Sequence, residues 1–127
     1  MTDIITIRRG DDESLTLDSI VDKHGNVYEL QPGDYLTLSV RELPNESSPL
    51  LLESTSDTMT IRMPHALTSQ VEAGVYSCDI SLFMRQADGS VLRKSVLPDD
   101  EYIAEYGKPD GSKNWKNFVV NPEVGNG

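Results

Sequence analysis

One cysteine, Cys78, stands in 127 residues. A lone thiol excludes an intrachain disulfide and any zinc site built on several cysteines. The two histidines, His24 and His65, lie far apart, and neither has Cys, His or paired carboxylates at ligand spacing. No metal is therefore expected. The acidic runs Asp11-Asp12-Glu13 and Asp99-Asp100-Glu101 lack the alternating ligands and closing Glu of a calcium loop and read as solvated charge. Aromatic residues are sparse and are not interleaved with basic ones, so base stacking has no platform. Basic residues are scarce as well: 11 Lys and Arg against 21 Asp and Glu leave a formal net charge of −10. Nucleic acid and anionic membrane surfaces repel such a chain. No apolar run approaches the roughly 20 residues of a spanning helix. The opening Met1-Thr2-Asp3-Ile4-Ile5-Thr6-Ile7-Arg8 is too short and too polar for a secretory h-region, so folding in a cytoplasm is expected. There is no glycine-rich phosphate loop and no recognisable Ser, His and acid arrangement. The chain is expected to be non-enzymatic and to carry no cofactor.

What the sequence does have is alternation. From Ala73 to Leu92, Tyr76, Cys78, Ile80, Leu82 and Met84 alternate with Val75, Ser77, Asp79, Ser81 and Phe83. A strand sends successive side chains to opposite faces, so one face here is mostly apolar and the other mostly polar. Asp88-Gly89 supplies a hairpin turn and Val91 onward a returning strand. Cys78, on the apolar face, reads as a buried, inert thiol.

The pattern recurs. Ile4 to Ile7 reads as a short strand, and Arg9-Gly10-Asp11-Asp12 as a turn rather than an integrin-type recognition tripeptide. Ser14 to Val21 alternates, with Leu15, Leu17 and Val21 expected inward. Asp22 to Asn26 is a hairpin loop, Val27 to Leu30 a short strand, and Gln31-Pro32-Gly33-Asp34 a break. Tyr35 to Arg41 places Leu36, Leu38 and Val40 on one face. After an exposed loop over 42–49, Leu50 to Glu53 and Met59 to Met63 are further strands. Pro64 opens one or two helical turns carrying Leu67 and Val71. These features predict one all-β domain, a two-sheet antiparallel sandwich with one short helix. Its core is expected over residues 4–97, followed by a turn-rich excursion over 98–113 and a last strand at about 115–120.

Four aromatic residues stand out as partner or ligand contacts. Trp115 reads either as a core cap or as a partner anchor, because Trp and Tyr are frequent interface anchors. Tyr102 and Tyr106 lie near it in sequence. Phe83 falls on the polar face of its strand, where the C-terminal arm or another subunit would cover it. An aromatic platform of Tyr102, Tyr106 and Trp115 would alternatively suit a carbohydrate-binding module, since ring faces pack against sugar rings.

The order of features resembles a known family. Ile5-Thr6-Ile7-Arg8-Arg9-Gly10-Asp11 leads into an alternating strand, and Asp22-Lys23-His24-Gly25-Asn26-Val27-Tyr28-Glu29-Leu30 forms a turn and short strand. Met59-Thr60-Ile61-Arg62-Met63-Pro64 precedes a helical turn, and Gly74-Val75-Tyr76-Ser77-Cys78-Asp79-Ile80 precedes Ala87-Asp88-Gly89-Ser90-Val91. Phe118-Val119-Val120-Asn121-Pro122-Glu123-Val124 closes the series. This resembles the N-terminal immunoglobulin-like domain of phage baseplate upper proteins and related small prophage tail proteins. The resemblance implies an immunoglobulin-like sandwich and a virion or prophage structural role. It also implies synthesis in a bacterial cytoplasm and docking on other tail proteins or on a second copy as a homo-oligomer. It implies no catalysis and no cofactor.

Overall fold

A computed structural model describes residues 5–43, 47–97, 102–105 and 118–122, and only the backbone of Ile103 and Glu105. In chain order the described elements begin with β1 (Ile5–Arg8), β2 (Glu13–Thr16), β3 (Ser19–Asp22), β4 (Val27–Tyr28) and β5 (Tyr35–Arg41). They continue with β6 (Leu50–Ser56), β7 (Thr60–Met63), the helical turn α1 (His65–Thr68) and β8 (Gly74–Arg85). The last are β9 (Val91–Leu97), β10 (Tyr102–Glu105) and β11 (Phe118–Asn121).

The 12-residue β8 organises the larger sheet. β5 lies antiparallel along one of its edges, from Tyr35↔Phe83 to Arg41↔Ser77, and β6 adds beyond β5. The other edge of β8 is shared. β9 returns along its C-terminal half, and β11 takes Gly74 to Tyr76. β1 then runs parallel to β11, matching Ile5 with Phe118 and Ile7 with Val120. All four of those side chains are buried, so this parallel pair is held by a shared apolar face. β10, β3 and β4 form a three-stranded sheet and β2 pairs with β7. Ile20, Ile61, Met63 and Ala104 from these smaller sheets, with Leu17 just after β2, join Leu36, Leu38, Val40, Ile80, Leu82, Val96 and Phe118 in one buried cluster. The result is a β-rich, sandwich-like fold with one short helix. Each fully buried Leu, Ile or Phe contributes about 1.5–3 kcal/mol relative to exposure.

Two hairpin loops share one geometry. Asp22 N–H donates to the Asn26 carbonyl while Gly25 N–H donates to Asp22. Likewise Gln86 N–H donates to Ser90 and Gly89 N–H to Gln86. Only the glycine of each loop has positive φ, +85° at Gly25 and +88° at Gly89. These are three-residue loops with a left-handed glycine. The two-residue Asp-Gly turn expected from the sequence would need positive φ at Asp88 too. Asp88 instead accepts from the Ser90 amide and hydroxyl, which holds its carboxyl below the usual range.

Several boundaries differ from those expected. The alternation over 14–21 breaks at Asp18: Leu17 N–H still follows the β2–β7 register in bonding the Met59 carbonyl, and from Ser19 the chain joins another sheet, pairing with β10 and β4. The pattern changes phase there, so Ile20 is buried and Val21 only half-buried; a one-residue slip exchanges faces. The strand at Val27 ends at Tyr28, and the one beginning at Leu50 runs on to Ser56. The excursion after residue 97 contains β10, paired antiparallel with β3. The core therefore extends beyond residue 97 through Ala104, Phe118 and Val120. The last strand is described over Phe118–Asn121, and positions 115–117 lie outside the described residues.

Candidate functional site

The outward face of the larger sheet carries the densest polar chemistry. Alternation on β5 sends Tyr35, Thr37, Ser39 and Arg41 outward, opposite Phe83, Ser81, Asp79 and Ser77 of β8. β6 adds Glu53 and Thr55, and β9 adds Arg93 and Ser95. Thr37, Ser39, Arg41, Glu53, Asp79, Ser81, Phe83 and Arg93 line a groove of about 320 Å³. Its serine hydroxyls are not loose surface groups: Ser39 is 7% exposed and Ser81 3%.

The groove is internally bonded. Arg93 Nε donates to Ser81 Oγ at 3.0 Å, and Arg41 Nη1 reaches Asp79 Oδ2 at 3.5 Å. Ser39 Oγ donates to Glu53 Oε2 at 3.4 Å, and the Thr37 and Thr55 hydroxyls meet at 3.0 Å. Arg41 Nε is buried with no hydrogen-bond partner among the described residues. Such a donor costs about 1–3 kcal/mol. At one end Phe83 stacks on its cross-strand neighbour Tyr35, with centroids 4.7 Å apart and planes 10° from parallel.

The opposite end of the same sheet is apolar. Arg41 pairs with Ser77 on one side and Leu50 on the other. Val75 precedes Ser77 by two residues and Leu50 opens β6 opposite Arg41, so both stand at this end of the sheet, and Leu43 lies two residues beyond β5. Each is about half exposed. Val75 also pairs with Val119 of β11.

A second polar centre is structural. The turn 31–34 has Pro32 ahead of Gly33 at φ +92°, a type II arrangement that places Asp34 at its close. Asp34 is buried, and its carboxylate accepts from Gln31 N–H at 2.9 Å, Arg85 N–H at 3.0 Å and the Tyr28 hydroxyl. Burial alone would raise its pKa, but the three donors outweigh it and hold it below the usual value. Burial, with Asp34 beside it, pushes the Tyr28 hydroxyl up. One side chain thus ties β4, the turn and the end of β8 together. Sequence reading registered Asp34 only as part of a chain break; its place after Pro-Gly was the signal.

Of the expected contact residues, Phe83 and Tyr102 are described, and they lie on different sheets. Phe83 lies on the outward face, covered on one side by Tyr35. Tyr102 lies on β10, edge-on to Tyr28 at 5.7 Å and packed against the core. Tyr106 and Trp115 lie outside the described residues. Cys78 is buried, and burial raises its thiol pKa, with Asp79 adding to the effect. The Arg9-Gly10-Asp11 turn is docked rather than presented. Arg9 donates to the Val71 and Ser69 carbonyls, while Thr68 Oγ1 bonds both Gly10 N–H and the Asp11 carbonyl. Among the described residues no three His, Cys, Asp or Glu side chains are grouped to hold an ion. No described helix is long and apolar enough to cross a membrane.

No protein-family model, curated protein or solved structure matches this chain.

Proposed function

We propose that this chain is a non-enzymatic structural module of a phage or prophage tail, of the baseplate type, built as an immunoglobulin-like sandwich. It works by docking on other tail proteins or on a second copy of itself. The observation that carries the reading is the apolar end of the larger sheet. Leu43, Leu50 and Val75 are half exposed where β5 ends and β6 and β8 begin. Exposed apolar side chains at one end of a sheet favour burial against a partner. The order of strand and turn motifs that resembles baseplate upper proteins supplies the kind of partner. The mechanism is passive: a pre-formed sheet presents a fixed apolar patch, and binding orders little of the chain.

Mass spectrometry of tail particles released on prophage induction, from cells carrying this gene, tests the proposal. The chain is expected in purified particles at a fixed ratio to the other tail proteins. Its absence from intact particles overturns the proposal.

A further inference from the structure

The groove on the outward face has a chemistry that differs from that of the apolar end. Its charges balance, with Arg41 and Arg93 against Glu53 and Asp79, which suits an uncharged ligand. Donors and acceptors alternate across three adjacent strands, β6, β5 and β8, with Arg93 of β9 beyond. Carboxylates and guanidinium groups form the stronger, charge-assisted hydrogen bonds to ligand hydroxyls. Ser39 and Ser81 are fixed in the floor by bonds to Glu53 and Arg93, so little side-chain freedom remains to be lost on binding. Phe83, backed by Tyr35, supplies an apolar wall at one end. The volume of about 320 Å³ lies at the small end of ligand pockets. Arg41 Nε, buried without a partner among the described residues, gives the guanidinium a reason to reorient towards an incoming oxygen.

We infer that this groove binds an uncharged polyhydroxylated ring, a hexopyranose unit, with Asp79, Glu53, Arg41 and Arg93 bonding its hydroxyls and Phe83 against its C–H face. The ring comes either as a free sugar or as a unit of a glycan chain. This function is separate from the docking proposed above and does not depend on it.

The test is an amide-resolved NMR titration of the full chain with D-glucose, D-galactose and N-acetyl-D-glucosamine, each followed by its short oligosaccharides. At least one sugar is expected to shift the amides of Thr37, Ser39, Asp79, Ser81 and Phe83 together. Arg93→Ala and Asp79→Asn, each with an undiminished spread of resonances, should weaken that sugar by about tenfold or more, the scale of a lost charge-assisted hydrogen bond. Oligosaccharides binding more tightly than the single ring identify a glycan as the source; equal affinity identifies a free sugar. Silence of the groove amides towards all three sugars and their oligosaccharides overturns the inference. So does a shift pattern centred elsewhere, as around Tyr102, or unchanged affinity in both folded variants.

Discussion

Leu36, Leu38, Val40, Cys78, Ile80 and Leu82 fill one face of β5 and β8, and Thr37, Ser39, Arg41, Ser77, Asp79 and Ser81 fill much of the other. Both faces hide side chains from water, but by different means. The inward face is dry because a second layer covers it. On the outward face, longer neighbours shade Ser39, Ser77 and Ser81, and hydrogen bonds to Glu53 and Arg93 fix two of them. Low exposure therefore marks the core on one side and a prearranged polar surface on the other. The inward face should carry stability and the outward face recognition.

Substitutions that strike the faces separately test that division. Leu38→Ala opens a cavity in the fully buried face and should cost about 2–5 kcal/mol in urea unfolding. A cost under about 1 kcal/mol would place Leu38 outside the packed core. Asp34→Ala releases three donors at the rim between the layers and should cost about 2–3 kcal/mol. This residue also sets a pH dependence. Its folded-state pKa lies below the ordinary aspartate value, so its contribution is full above the unfolded carboxylate range and fades as pH falls through and below that range. Thermal midpoints measured from about pH 6 down to about pH 3 should fall more steeply in the natural chain than in Asp34→Asn. Equal slopes would remove Asp34 from the acid response. Ser81→Ala on the outward face removes only the acceptor for Arg93 Nε and should cost about 0.5–1.5 kcal/mol. A loss as large as that of Leu38→Ala would erase the distinction between the faces.

The larger sheet was legible in the sequence because its signal is local. Period-two alternation in Tyr35–Arg41 and Gly74–Arg85 identifies the buried residues without knowledge of their partners. The phase change at Asp18 was not legible, since it depends on the chain leaving β7 and pairing with β10, both distant in sequence. β10 was missed for a related reason: four residues between acidic and turn-rich stretches form a strand because β3 offers an edge. The candidate site was legible one residue at a time. Phe83 was placed correctly on the polar face, but the groove beside it joins four strands, and only their register brings Arg41, Glu53, Asp79 and Arg93 together. The apolar end was not legible, because Leu50 and Val75 start two separate strands and Leu43 lies beyond a third.

The most direct measurement compares tail particles assembled with the natural chain and with Leu50→Lys/Val75→Lys. Both positions are exposed, so unfolding midpoints should agree, as surface changes usually shift stability by less than about 0.5 kcal/mol. The docking account predicts that the natural chain enters the particles while the folded lysine variant stays in the soluble fraction. Equal incorporation of the two chains, or exclusion of both, would contradict it.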